Sequence, residues 1–203
     1  MNTAILSNFE VPTVIGTPFG GGFFFGRILV DQHPHAIIVA SKIEGEHGDA
    51  RWNKLLTRVE GARSFFDSMA NTIAMANADS QIAQWALNLR IGGFDDWCIP
   101  ARDVLEPMYR YGKPTDRKNW VYRNGENPSS IPVGYPYTED LPKQTEVSRE
   151  GGPDAFDPVP YWSSTQYEGL SDFAWAQVFT DGTQSYYHKS DKFRVRVVRT
   201  IPI

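Results

Sequence analysis

The stretch FAWAQVFTDGTQSYYHKSDKFRVRVVR, residues 173–199, constrains the fold more than any other part of the chain. Phe173 to Thr180 and Thr183 to His188 read as two strands, and Asp181-Gly182 between them is a strong hairpin signal. Phe193 to Val198 then alternates, with Phe193, Val195 and Val197 on one face and Arg194 and Arg196 on the other. The chain must therefore close on strands.

It opens on strands as well. After the cluster Gly20-Gly21-Gly22, the apolar runs Phe23 to Val30 and Ala36 to Ser41 flank Asp31-Gln32-His33-Pro34-His35 and predict a hairpin with a five-residue loop. Residues 42–63 are polar, with Trp52, Leu55 and Leu56 as anchors. Phe65, Phe66, Met69 and Ile73 fit one face of a short helix. A clearer helix begins at Asp79 or Ser80, either of which can cap it. It presents Ile82, Trp85, Ala86 and Leu89 as one stripe and stops at Gly92-Gly93. A second starts with Pro100 at its first position, with Asp103 in the first turn and Val104, Leu105 and Met108 as its apolar face. Pro107 should kink or shorten it. A helix pair between an opening hairpin and closing strands is an α+β order.

Two segments lack periodicity. Residues 1–17 form an apolar arm whose Ile5, Leu6, Phe9, Val11, Val14 and Ile15 suit docking on a partner. Residues 112–160 hold eight of the fourteen prolines and are too aromatic for plain disorder, so they read as an ordered excursion on the domain surface. The organisation is then an arm at 1–17 and one domain at 18–203.

Composition excludes several classes. The chain has 203 residues and 41 % hydrophobic residues, which suits one domain with a real core. Net charge is −4 and no Lys/Arg run exists, which argues against nucleic acid as a partner. No apolar run can span a bilayer, and Met1 to Glu10 lacks the pattern of a secretory signal. Cys98 is alone and cannot form an internal disulfide.

Four segments resemble the C-type-lectin-like domains of bacterial collagen-like adhesin C-terminal regions and of phage tail-fibre and tropism-determinant proteins. They are GGFDDWCIPARDVLE (92–106), NPSSIPVGYPYTEDLPKQT (127–145), YWSSTQY (161–167) and the closing stretch 173–199. Cys98 and Pro107 depart from the family pattern. The resemblance implies two helices packed on small antiparallel sheets. It implies a phage virion protein at a tail fibre or tail tip, binding a host-surface glycan or protein. It also implies other virion proteins as partners through the arm, and a homo-oligomer. The alternative is a structural virion protein, a capsid decoration or tail-assembly component.

The chemistry of the residues points to binding rather than catalysis. Catalytic relatives of this fold use a cysteine pair or a histidine triad on iron, and this chain has one Cys and four dispersed His. No cofactor and no metal site is expected. His33 and His35 read as a solvated turn, and Asp95-Asp96 as a structural turn. No cluster offers the six to eight oxygens calcium needs, and Asp154 and Asp157, flanking Ala155-Phe156, leave open no more than a weak ion site. Trp97, Trp162 and Trp175 read as core, and Ser163, Ser164 and Thr165 as satisfying backbone groups. The binding face is expected at Gln166, Tyr167 and Glu168, with Gln184, Tyr186, Tyr187, His188 and Asp191. These are the residue types of an adaptable contact surface. Because neighbours on a strand face opposite ways, one of Tyr186 and Tyr187 should point outward.

Overall fold

The computed structural model describes residues 10–120, 127–134 and 151–203. Ile5, Leu6 and Phe9 of the arm, and much of the excursion, lie outside these residues.

The opening hairpin is built from β1 (Pro18–Phe19), β2 (Gly22–Val30) and β3 (His33–Val39). Its turn is tighter than expected. Asp31 and Gln32 both take the left-handed conformation, φ 48° and 68°, so two residues reverse the chain and His33 to His35 join the strand. After a one-turn helix α1 (Lys42–Gly45) comes β4 (Glu46–Arg51).

Helix α2 (Ser68–Asn77) is longer than the sequence suggests, and the expected face holds only in part, with Phe66 and Met69 packed against the core. Ser68, Asn71, Thr72 and Met75 are buried, while Phe65 and Ile73 are exposed. The buried polar groups hold backbone that no ladder serves. Asn71 donates to Ser64 O at 2.7 Å, and Thr72 Oγ1 accepts from the Ile99 N–H at 3.0 Å. Asp67 caps this helix by accepting from the Ala70 N–H. Helix α3 (Gln81–Leu87) starts where expected, but Ser80 spends its hydroxyl on Trp52 O instead of the cap.

Helix α4 (Arg102–Gly112) starts two residues later than predicted, and it runs on through Pro107. Its N-cap residue, Ala101, has no capping side chain. Distant groups serve instead: Thr165 Oγ1 accepts from Arg102 N, and Phe65 O accepts from Asp103 N. Pro107 has no N–H for the Asp103 carbonyl four residues back. That carbonyl accepts from Asn127 Nδ2 at 2.7 Å. The same amide group donates to Glu106, and Asn127 Oδ1 accepts from Ser129 N and Ser130 N. The proline that should have broken the helix therefore docks the loop.

The remaining strands are β5 (Ser130–Ile131), β6 (Pro160–Gln166), β7 (Phe173–Val178), β8 (Gln184–His188), β9 (Lys192–Arg196) and β10 (Val198–Pro202). One sheet runs β1-β2-β3-β10, with β5 also on β2; the other runs β4-β9-β6-β7-β8. The mixture of helices and small sheets is of the α+β kind. Strand β3 joins two cores: Ala36 and Ile38 face one with Trp52, Trp97 and Trp162, while Ile37 and Val39 face the other with α4, Phe156 and Phe179.

The alternating run Phe193–Val198 is not a single strand. At Val197 the chain leaves one sheet for the other. The arginines of this stretch are covered unequally: the Arg194 side chain keeps 35 % of its surface exposed. Arg196 is 1 % exposed and Arg199 3 %. Arg196 donates to Glu46 and lies 4.7 Å over the Phe156 ring. Arg199 pairs with Asp96 and lies over Phe94. The described parts of the excursion also enter the core, since Phe156, Asn119 and Asn127 are buried.

Candidate functional site

The site grows from the β7–β8 hairpin. Gly182 (φ 81°) turns it, and a Cβ there would press on the Tyr109 ring. The register sets Trp175 opposite Tyr186, Phe173 opposite His188, and Gln177 opposite Gln184. These six share one face. Ala174, Ala176 and Tyr187 take the other face, against the core. Tyr186 is thus the outward tyrosine, 39 % exposed, and Tyr187 packs edge-on against Phe193.

Aromatic rings cover the outward face. Tyr167, just past β6, stacks on Tyr186 with centroids 4.0 Å apart and planes 10° apart. Trp175 meets both edge-on at 5.5 and 6.0 Å. Phe173 lies against Tyr186 and His188. From the other side, Arg102 lays its guanidinium 4.4 Å from the Phe65 ring centre and 4.8 Å from that of Trp175. Arg102 is fixed at its own N–H by Thr165 and at Nε by Gln184 Oε1. Gln184 in turn donates to Gln177. The polar groups between the rings are locked, and Phe173, Trp175 and Tyr186 are held on strands, with Tyr167 and Phe65 brought in from the adjoining segments.

The expected residues separate on this frame. Tyr167, Gln184, Tyr186 and His188 come together. Glu168 and Asp191 sit on the adjoining loops; Glu168 is exposed, and its carbonyl accepts from Arg58. Two placements differ from expectation. Tyr187 faces the core. Gln166 is 1 % exposed; its Oε1 accepts from Val59 N and Lys189 Nζ, and its Nε2 has no partner among the described residues. A bulge between Trp162 and Gln166 turns this residue inward. Trp97 and Trp162 are core as expected, but Trp175 belongs to the outward face.

Phe65, Arg102, Phe173 and Trp175 were not singled out for this face from sequence. The register across Asp181-Gly182 would have found Phe173 and Trp175, because they share the parity that puts Tyr186 outside. Nothing local marks Phe65 or Arg102, which arrive by tertiary packing.

The other candidates are structural groups. Asp96 pairs with Arg199, Asp95 lies 3.8 Å from Arg90, and Asp157 pairs with Lys42 and Arg194. Asp154 accepts from Lys42 N. His35 Nδ1 meets His33 O. Ser163 Oγ donates to Trp175 O, and Thr165 Oγ1 to Ser64 O. Burial pushes the Cys98 thiol far up, with Asp96 adding to it. Among the described residues no group of three His, Cys, Asp or Glu is placed to hold a metal ion, and no helix is long and apolar enough to cross a membrane.

A family model described as the Lcl C-terminal domain matches residues 46–199, well over half of the chain and all of the outward face. No curated protein and no solved structure matches.

Proposed function

The chain belongs to the Lcl C-terminal domain family, and on that premise we propose that it is an adhesin-like receptor-binding module on a C-type-lectin-like fold. The observation that carries this reading is the outward aromatic face. Tyr167, Trp175, Tyr186 and Phe65 offer rigid apolar area, and Arg102 adds a charge at its border. Aromatic residues and arginine are the residues that anchor binding interfaces. The face recognises a host-surface glycan or protein and does no chemistry of its own. In the finer form of the proposal, the chain sits at the tail fibre or tail tip of a phage virion, oligomeric, with the 1–17 arm docking on a neighbouring virion protein.

Binding of the labelled full chain to host cell envelopes and to an arrayed glycan library tests the face. A combined Tyr167→Ala, Trp175→Ala, Tyr186→Ala variant should lose that binding while keeping its fold. Undiminished binding by this variant would remove the face from the proposal. Cryo-electron microscopy of the assembly tests the placement. The face should look outward at a fibre tip; a face turned against a capsid or tail-shaft neighbour would favour a structural virion role.

A further inference from the structure

The backbone at the outer edge of β8 is unpaired where the aromatic face ends. The Lys189 N–H donates to Asp172 O and the Val178 N–H to Thr183 O, both at 2.8 Å. Antiparallel ladders alternate bonded and unbonded pairs. Residue pairs 174/187 and 176/185 are therefore bonded, and 175/186 and 177/184 are not. It follows that the N–H and C=O groups of Gln184 and Tyr186 point away from β7, off the edge of the sheet. Strand β8 is the last in its sheet, and among the described residues nothing hydrogen-bonds to these groups.

The other sheet edges are blunted. Strands β1 and β5 have two residues each. Cys98 exchanges both backbone hydrogen bonds with Val198 on β10, and that strand ends at Pro202. Strand β4 carries a bulge, with Asp49 at φ 48°. Strand β8 has no bulge against β7, and QSYYH has neither proline nor lysine.

We propose that β8 is a docking edge for an extended, acidic peptide segment of a partner protein, which adds to the sheet as its next strand. This rests on the receptor-binding reading above and names the ligand class. An extended peptide presents the alternating N–H and C=O groups that match the edge, and a glycan does not. Every second side chain of the added strand lies beside Tyr186 on the outward face. Arg102 supplies the charge preference. Its Nε is taken by Gln184 and lies 3.8 Å from the buried Asp103 carboxylate, but neither Nη atom has a hydrogen-bond partner among the described residues. A planar fork held between two rings takes a carboxylate with two parallel hydrogen bonds. A second copy pairing β8 to β8 would bring no carboxylate, since QSYYH carries none.

The test pans a random dodecapeptide library displayed on mRNA against the immobilised full chain. Hydrogen exchange and titration with a selected peptide follow. Enriched peptides should carry Asp or Glu. The amides of Gln184 and Tyr186 should exchange fast in the free chain and at least about tenfold slower with peptide, while Ser185 and Tyr187 stay slow throughout. Tyr186→Pro removes an N–H that β7 does not use, and should weaken peptide binding about tenfold, the worth of one edge hydrogen bond with its ring contact. Arg102→Gln should abolish the acidic preference. Gln184 and Tyr186 amides that are slow in the free chain, or unchanged by bound peptide, would overturn the proposal without any variant. Protection that grows with protein concentration alone would assign the edge to a second copy and overturn it too. If no peptide enriches but envelope or glycan binding still needs Tyr167 and Tyr186, the peptide inference falls and the receptor-binding face stands. If neither probe binds through these residues, both fall.

Discussion

The two edges of the sheet β4-β9-β6-β7-β8 are built from opposite materials. At the β4 edge, charge is buried. Glu46 is almost fully enclosed and meets Arg194 at 2.9 Å, Arg196 at 2.6 Å and the Tyr161 hydroxyl at 3.0 Å. At the β8 edge, apolar rings are only partly covered, and the exposed Tyr186 stacks on the half-buried Tyr167. A fold that sought only stability would do the reverse. Buried ion pairs contribute little net stability, yet breaking one is costly. The β4 edge therefore specifies geometry: it fixes where β9 leaves the sheet for β10. The β8 edge leaves apolar area and backbone unspent, which is the signature of a surface meant to meet something else.

The largest expected effect tests the sealed edge. Glu46→Ala leaves Arg196 enclosed without a counter-charge, and should cost about 3–5 kcal/mol of folding stability. Urea unfolding measures it. A loss below about 1 kcal/mol would mean that the arginine reaches water, and that the contrast between the edges is false. The next effect concerns the loop docked by Pro107. Asn127→Ala leaves the Asp103 carbonyl and Glu106 short of a donor, and should cost about 1–3 kcal/mol. Adding Pro107→Ala restores an N–H for that carbonyl, so the double variant should recover part of the loss. Simple additivity of the two changes would show that Asn127 does not stand in for the missing backbone bond.

The sealed parts of the molecule were the least legible in the sequence. For Arg194 and Arg196 the sequence gives only a shared side of the strand, because alternation reports which residues share a side, not what covers it. Glu46 and Phe156, distant in sequence, do the covering. Helix α2 misled for the same reason: Asn71 and Thr72 turn inward to serve backbone from residues 64 and 99. The open edge was more legible. The Asp181-Gly182 turn, the approximate β7 and β8 ranges and the rule that one of the Tyr pair faces out follow from local rules, while the structure decides which one. Gln166 was not legible, because a bulge reversed its side, and Arg102 reached Trp175 only through the packing of α4.

Between the edges in expected size stands the residue that closes β8. Lys189 is enclosed, with Nζ donating to Thr57 O and Gln166 Oε1 and lying 4.5 Å from the Trp52 ring centre. Burial lowers its pKa from 10.5 to about 8, against the pull of Asp172. The unfolded chain then holds more protons than the folded one between about pH 8 and 10.5, so this lysine makes stability rise with pH in that window. Burial raises the Cys98 thiol and the Tyr109 and Tyr161 hydroxyls, so the folded chain keeps protons that the unfolded chain releases from about pH 9 upward. Those groups reverse the trend. Urea midpoints should therefore climb from pH 7.5 to 9 and then fall. Lys189→Met should be flat over the climbing part. A climb that survives this substitution would place its origin elsewhere.

The smallest expected effect is the most informative about the open edge. Tyr167 and Tyr186 meet face to face, but Tyr186 keeps 39 % of its surface exposed. Removing either ring takes away an aromatic contact and little enclosed area. Tyr167→Ala and Tyr186→Ala should each cost no more than about 1.5 kcal/mol, with the double variant showing that the two losses overlap. Denaturant unfolding of the four proteins in the cycle gives all the terms. A cost near that of a core aromatic, about 3–5 kcal/mol, would mean that the stack is part of the fold. The two edges would then differ in chemistry and not in purpose. A small cost joined to loss of binding would separate them fully, since residues that contribute little to folding and much to recognition are those the β8 edge leaves in the open.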